Sequence, residues 1–510
     1  MPPNSPLRTA LRPGPPSRRD RALAECKAGA LALQMGKTEA GLKRYAAGVS
    51  LAPNDADVAA LHGVALRSAA RLAQAQRELI RAIALDPSRA DSFTQLAQTY
   101  RMAGDRGQAA TAFLAAARLR TTDAIAWRDA AEAMRLADRI DDGLTTAQHA
   151  ASLAPSDPDI ANTTALLLHR AGRFDEALAL CERARAITPD ALHLTLTHAM
   201  LCRTLGQFAL GWSLYERRLE LPALRQRPFA PMSPSWDGSP LAGRSILVRA
   251  EQGLGDQIQF LRWTAMLHAR GAAYVFVQAA PALVRLFRSA PGIDLVIASD
   301  RPAPSHSVHV DIGSLPHLLR TESDLRADLV PYLGTTAADA TSGRLQLAPT
   351  DAALRIGIVW GGSPLQEDNR FRSVPLAGLL AAILRPEVEI VVLQQGPARE
   401  QLDAIDPVVR GALRDAAAIC SDMYDTAVVA SECDVVISMC TSVVHLAGAL
   451  ALPTWLMLAS PAEWRWGASG ERSELYPSLR LFRQQHAGDW THVFDAIRRE
   501  ITDLCEARHT

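Results

Sequence analysis

The chain has 510 residues, 48% hydrophobic and 21% charged, with Lys+Arg and Asp+Glu both at 54. Such a balance supports cores for about three domains of roughly 150 residues, and bulk charge supplies no drive toward nucleic acid or anionic lipid. Seven cysteines at 26, 181, 202, 420, 433, 440 and 505 make no CxxC pair, which argues against a disulfide framework or a metal site and for a reducing compartment.

Residues 1–20 are basic and Pro-rich and lack the apolar stretch of a secretory signal, so they predict a disordered tail. No run reaches the ~18 apolar residues of a membrane span, and the expected location is cytoplasmic. From 21 to 222 a proline returns at one interval. Pro53, Pro87, Pro155 and Pro189 are 34, 68 and 34 residues apart, and Thr121 fills the remaining slot. A 34-residue period resembles the tetratricopeptide repeat, a helix–turn–helix closed by proline. Small residues recur in phase at Gly29, Gly63, Ala97, Ala131, Ala165 and Ala199, and turn glycines at Gly36, Gly104, Gly172 and Gly206. Six units predict a superhelix whose groove takes a protein or peptide, with a spacer or self-association surface as the plainer alternative.

Residues 223–243, rich in Pro, Ser and Gly, read as a linker. Residues 244–345 then alternate strands (SILVRA, YVFVQA, DLVIAS) with helical stretches, and the first helix is expected to run through Leu267. Residues 350–505 do the same with LRIGIVW, EIVVLQQ, DVVISMC and TWLMLA, and with helices at 376–384, 398–417 and 442–451. The predicted fold class is α plus α/β: a repeat superhelix followed by two Rossmann-like halves with a cleft between them, or else one large sheet.

Ligands of parallel sheets sit where strand ends lead into helix N-termini. After the first strand, Gly253 and Gly255 allow a tight turn, and Asp256 opens a helix as a cleft carboxylate or simply as an N-cap. In the second half, Gly361 and Gly362 follow a strand, and Arg370 and Arg372 could fork around a diphosphate or sit in a solvated loop. Cys440 ends a strand, and Thr441 and Ser442 cap a helix whose N–H groups suit a phosphate. His445 lies in the first turn of that helix, where a structural role is equally open, and Gln394 supports the site from VVLQQG.

The runs EQGLGDQIQFLRW (251–263), NRFRS (369–373), VVLQQG (391–396), TSVVHLAGAL (441–450), EWRW (463–466) and LYPSLRLFRQ (475–484) resemble, in order and spacing, the bacterial lipopolysaccharide heptosyltransferases. They are most similar to the branch of that glycosyltransferase family carrying N-terminal tetratricopeptide repeats. The resemblance covers about residues 195–500. It implies a GT-B fold, a nucleotide-sugar substrate bound mainly by the C-terminal half, and no cofactor or metal. Carried over, Asp256 matches the catalytic base, Arg370 and Arg372 the donor-phosphate contacts, and Thr441 and His445 the donor-binding run. Two motifs depart from the pattern: Cys440 stands for an aspartate, and Asp368-Asn369-Arg370 for Asn-Asp-Arg. The implied activity is inverting transfer to a protein, or to a surface glycan, presented by the repeats. The alternative is a scaffold that keeps the fold without turnover.

Overall fold

The computed structural model describes residues 16–225, 233–320, 325, 327–335, 347–348, 350–364, 366 and 369–509. The chain forms two compact units, residues 1–171 with 186–188, and residues 172–185 with 189–510.

The first unit is a stack of four helix pairs, α1 (Arg18–Gln34) with α2 (Thr38–Leu51), α3 (Ala56–Ser68) with α4 (Leu72–Leu85), α5 (Ala90–Met102) with α6 (Arg106–Leu119) and α7 (Ala124–Leu136) with α8 (Ile140–Leu153), followed by α9 (Pro158–Arg170). The starts of α3, α5, α7 and α9 fall 34 residues apart, at Ala56, Ala90, Ala124 and Pro158. Aspartates 55, 105, 123 and 157 cap α3, α6, α7 and α9 by accepting backbone N–H bonds. The in-phase small residues lie where paired helices touch. A Cβ on Gly63 would stand 2.6 Å from Leu79 Cγ, and Ala97, Ala131 and Ala165 are fully buried. The turn slot is left-handed throughout: Gly36, Gly104, Gly172 and Gly206 have positive φ, and Ala70 and Asp138 adopt it where glycine is missing. This is the helical-hairpin array that the 34-residue period predicts. Residues 18–20, assigned to the tail, are instead the first turn of α1, capped by Ser17.

The second unit begins with most of α10 (Phe174–Ile187) and with two further repeat helices, α11 (Leu192–Thr204) and α12 (Phe208–Tyr215). Two separate, wholly parallel sheets follow, so the single-sheet alternative is excluded. The first has the order β3-β2-β1-β4, from β1 (Ser245–Arg249), β2 (Tyr274–Ala279), β3 (Leu295–Ala298) and β4 (Val308–Asp311). The second has the order β10-β9-β8-β5-β6-β7, from β5 (Leu354–Val359), β6 (Val388–Val392), β7 (Leu413–Asp415), β8 (Val435–Met439), β9 (Thr454–Leu458) and β10 (Leu479–Arg483). Numbered within the second sheet, that is the doubly wound order 3-2-1-4-5-6. Near-continuous Val, Ile and Leu in β1, β5, β6 and β8 reflect burial on both faces.

One continuous core runs from Trp212 on α12 through Val248 and Ile258 to Val444, Leu446 and Tyr476, so both sheets and the last repeat helices share it. A second core lies on the other face of the second sheet and includes Val493 and Ile497 of the C-terminal helix Thr491–His509.

Several expectations need correction. The helix expected over 398–417 is a 3-10 turn (Pro397–Ala404), a short helix (Pro407–Gly411) and β7, because Pro407, inside that span, has no N–H to continue the hydrogen bonding. The helix expected through Leu267 ends at Leu261 and tightens into a 3-10 segment over Arg262–Met266. The described end of the linker is packed rather than free. Trp236 is buried, and its backbone N–H donates to the His309 carbonyl at 2.7 Å. Residues 226–232 of the linker lie outside the described residues, as do residues 1–15 of the tail.

Candidate functional site

Four strand-to-helix loops of the second unit line one cavity of about 430 Å³. They are the turn after β1 with Gly253, Gly255 and Asp256, the turn after β5 with Gly361 and Gly362, the turn after β6 from Gln394 to Pro397, and the turn after β8 with Cys440, Thr441 and Ser442. Strand order reverses between β1 and β4 in one sheet and between β5 and β8 in the other. At such reversals helices leave on opposite faces and open a crevice beyond the strand ends. The cavity lies at both.

Asp256 sits in the first turn of the helix Leu254–Leu261. One carboxylate oxygen accepts the Gly253 N–H at 3.0 Å and the other pairs with Arg465. It therefore caps its own helix and also faces the cavity. Neither glycine of this turn has positive φ; the left-handed residue is Gln252. Gly255 matters for another reason. A Cβ there would stand 2.8 Å from His445 Cδ2, so its absence lets the two helix starts meet.

Arg372 and Arg370 part company. Arg372 lines the cavity and donates from Nη1 to Glu463 Oε1 at 2.6 Å. Its Nε is buried with no hydrogen-bond partner among the described residues. Arg370 is exposed, its guanidinium lying 4.1 Å from the centroid of Phe371, and it does not line the cavity. The two share the short helix Asn369–Arg372, where residues two apart point to opposite sides, so the expected fork of this pair does not form.

A second arginine nonetheless reaches the cavity. Arg465 donates to Glu463 Oε2 at 2.8 Å, to Asp256 and to Gln259. Arg372, Glu463, Arg465 and Asp256 thus form a chain of alternating charge along one wall. The EWRW run supplies part of this wall. Its Glu463 and Arg465 face the cavity, while Trp464 and Trp466 are buried behind them.

Thr441 caps the helix Ser442–Ala449, its hydroxyl accepting the Val443 N–H at 3.3 Å, and Ser442 opens that helix at the cavity. His445 is buried and bonded through Nδ1 to the Tyr476 hydroxyl at 3.1 Å, and its ring stacks on Trp466. Burial, with Arg465 and Arg262 nearby, holds its pKa well below the ordinary value, so it presents a neutral imidazole. Cys440 is also buried, and burial pushes its thiol up to about 12. It packs at the strand end as an uncharged group. Gln394 makes no reach for a ligand. Its Oε1 accepts the Trp360 and Gly361 N–H groups at 2.9 and 2.7 Å, and its Nε2 returns a bond to the Gly361 carbonyl at 2.9 Å. It shapes the glycine turn.

No sequence motif marks what holds these loops. Arg218, just after α12, is buried against Glu251, the first residue of the β1 turn, with side-chain exposures of 2% and 1%. Glu251 also accepts the Gly313 N–H at 2.9 Å. Tyr215 bonds Gln252 of the same turn. Arg203 on α11 lies between the rings of Tyr215 (4.1 Å) and Trp464 (4.4 Å). The last repeat helices therefore brace both the Asp256 turn and the Arg465 turn. The run GWSLYERRLE, rich in Trp, Tyr and Arg where a repeat should simply end, was the available signal.

No family model matches the chain. The protein FlbA of Caulobacter vibrioides is 23% identical over 321 residues, 58% of this chain and 52% of FlbA; the chain spans about half the length of this curated relative. Among solved structures, the chain is similar to YrrB, a TPR protein with an unusual peptide-binding site, at 16% identity and a TM-score of 0.30 over 34% of this chain and 89% of that one. It is also similar to Pseudomonas aeruginosa pilF at 16% identity and 0.33, over 40% and 94% of the two chains. A tetratricopeptide repeat protein of Parabacteroides merdae gives 12% and 0.35, over 39% and 79%. The repeat assignment rests on the helix pairing and its 34-residue phase rather than on these likenesses. No described helix is long and apolar enough to cross a membrane.

Proposed function

We propose that this chain is an inverting glycosyltransferase of GT-B type that moves a sugar from a nucleoside diphosphate donor to a protein acceptor held by the repeats. The observation that carries the reading is one cavity, at the strand-order reversals of both sheets, joining a carboxylate (Asp256), a guanidinium (Arg372) and a helix N-terminus (Thr441, Ser442). Inverting transfer needs those groups. Asp256 takes the proton of the acceptor hydroxyl as its oxygen attacks the anomeric carbon. The bond to the diphosphate breaks, and Arg372 with the helix N–H groups receives the charge that leaves. The neutral imidazole of His445 adds a hydrogen-bonding group without adding charge. A cavity of about 430 Å³ is of ordinary size for a small-molecule site.

The test is incubation of the full chain with radiolabelled UDP, GDP and ADP sugars and cell lysate. Label should enter a macromolecule with one donor and vanish with Asp256→Asn. Binding of a sugar nucleotide without transfer to any acceptor would overturn the enzyme reading.

A second reading, a protein-interaction scaffold that keeps the fold but binds no donor, is favoured by Cys440 in place of a carboxylate and by the engagement of both Asp256 oxygens. Calorimetry with the same donors separates the two, since a scaffold binds none of them. If the acceptor is instead a surface glycan, transfer to small glycans survives removal of residues 1–171. That cut leaves the bracing helices α11 and α12 in place, which removal of residues 1–222 would not.

A further inference from the structure

Resting on the donor reading above, we propose that the diphosphate fork of this site is Arg372 with Arg465, and that Glu463 and Asp256 are internal counter-ions which the diphosphate displaces. Four observations lead there. Both guanidiniums line the cavity, and Arg370, the sequence neighbour that would complete a fork, does not. Both donate to the same carboxylate, to Glu463 Oε1 at 2.6 Å and Oε2 at 2.8 Å, so one anion already bridges them. Arg372 keeps one buried donor, Nε, without a hydrogen-bond partner among the described residues. Arg465 carries more than one anion can use, since its remaining nitrogens reach Asp256 and Gln259.

A carboxylate offers two oxygens to this pair, whereas a diphosphate offers more oxygens and more charge at once. Planar guanidiniums favour such bidentate acceptors, so the diphosphate outcompetes Glu463 for both arginines. Arg465 is then shared between the incoming phosphate and Asp256, and its hold on the carboxylate weakens. Donor binding and release of the base become one event. Trp464 keeps Arg465 in place meanwhile. Its ring lies 4.9 Å from that guanidinium and 4.4 Å from Arg203, so the arginine pivots at the tip while its stem stays packed.

The experiment is calorimetric titration of the full chain with inorganic pyrophosphate, with thermal melts checking that each variant folds. Arg372→Lys and Arg465→Lys should each weaken binding about tenfold or more, because lysine keeps the charge and loses the fork. Arg370→Ala should stay within about twofold. Glu463→Gln and Asp256→Asn should bind severalfold more tightly, since each removes a competing anion while keeping shape. Unchanged binding in Arg465→Lys, equal losses in Arg370→Ala and Arg372→Lys, weaker binding in Glu463→Gln, or no binding by the unmodified chain would each overturn the proposal. Transfer is scored separately. The pyrophosphate pattern without sugar transfer to any acceptor sinks the enzyme reading and leaves the fork standing, whereas transfer with an indifferent Arg465→Lys sinks the fork alone.

Discussion

The indole N–H of Trp466 donates a hydrogen bond to Sγ of Cys440 at 3.2 Å, tying the end of β8 to the turn that carries Arg465. The thiol therefore acts as a packed acceptor, and burial keeps it protonated by holding its pKa at about 12. A thiolate nucleophile at neutral pH is not available there. Iodoacetamide at pH 7.5 should modify half-buried Cys420 well before Cys440, as read by peptide mass mapping. Cys440→Ala should lower stability by about 1 kcal/mol and leave donor affinity unchanged. Selective labelling of Cys440 in the folded chain would reverse that assignment.

Asp256→Asn tests the proposed base. The carboxamide keeps the shape and can still accept the Gly253 N–H, but it cannot take a proton. The kcat should fall about 10²–10⁴-fold with no loss of donor affinity. Equal loss in kcat and in donor binding would assign Asp256 to holding the loop rather than to the chemistry.

Arg218 and Glu251 form a buried ion pair that joins the end of the repeats to the β1 turn. Arg218→Met leaves a carboxylate buried without its counter-charge, at a cost of about 3–5 kcal/mol. Urea unfolding of Arg218→Met and of Arg218→Met with Glu251→Gln should show the double variant recovering part of the loss. A single variant as stable as the unmodified chain would mean that this brace contributes nothing.

Gly255→Ala places a methyl 2.8 Å from the His445 ring at the contact between the helices Leu254–Leu261 and Ser442–Ala449. One of the two helix starts must shift. We expect about 1–3 kcal/mol of destabilisation and weaker pyrophosphate binding, measured by melting and calorimetry. Gly253→Ala meets no such wall and should cost less.

Buried histidines, His445 and His198 among them, give stability a pH dependence. Burial, then Arg465 and Arg262, depresses His445; burial, then Arg185, lowers His198 to about 4. Both stay neutral in the folded chain, while in the unfolded chain they gain protons below about 6.5. The unfolded state then binds more protons, so stability is full above about pH 6.5 and falls as pH drops below it, for His198 down to about 4. The Tm should decline from pH 7.5 to 5.5, and His198→Gln should flatten that slope. A Tm that rises over the same interval would contradict the assigned directions.

The repeats were legible residue by residue because their constraints are local. A left-handed turn, a proline after the second helix and a small residue at the helix crossing each depend on neighbours within one 34-residue unit. The central strands were legible for a similar reason, since burial on both faces writes a continuous apolar run. Edge strands β4, β7 and β10 are shorter or flanked by polar residues, and they read as strands only beside their partners. The loops that line the cavity were also visible in the sequence, as glycines, hydroxyls and charges at strand ends. What those side chains do was decided by tertiary structure. Arg370 and Arg372 look equivalent in the chain, yet a helical turn sends them to opposite sides. Arg465 reaches Asp256 from 209 residues away, and Arg218 reaches Glu251 from 33. Charge pairing depends on distance in space and on burial, and neither is written in local spacing.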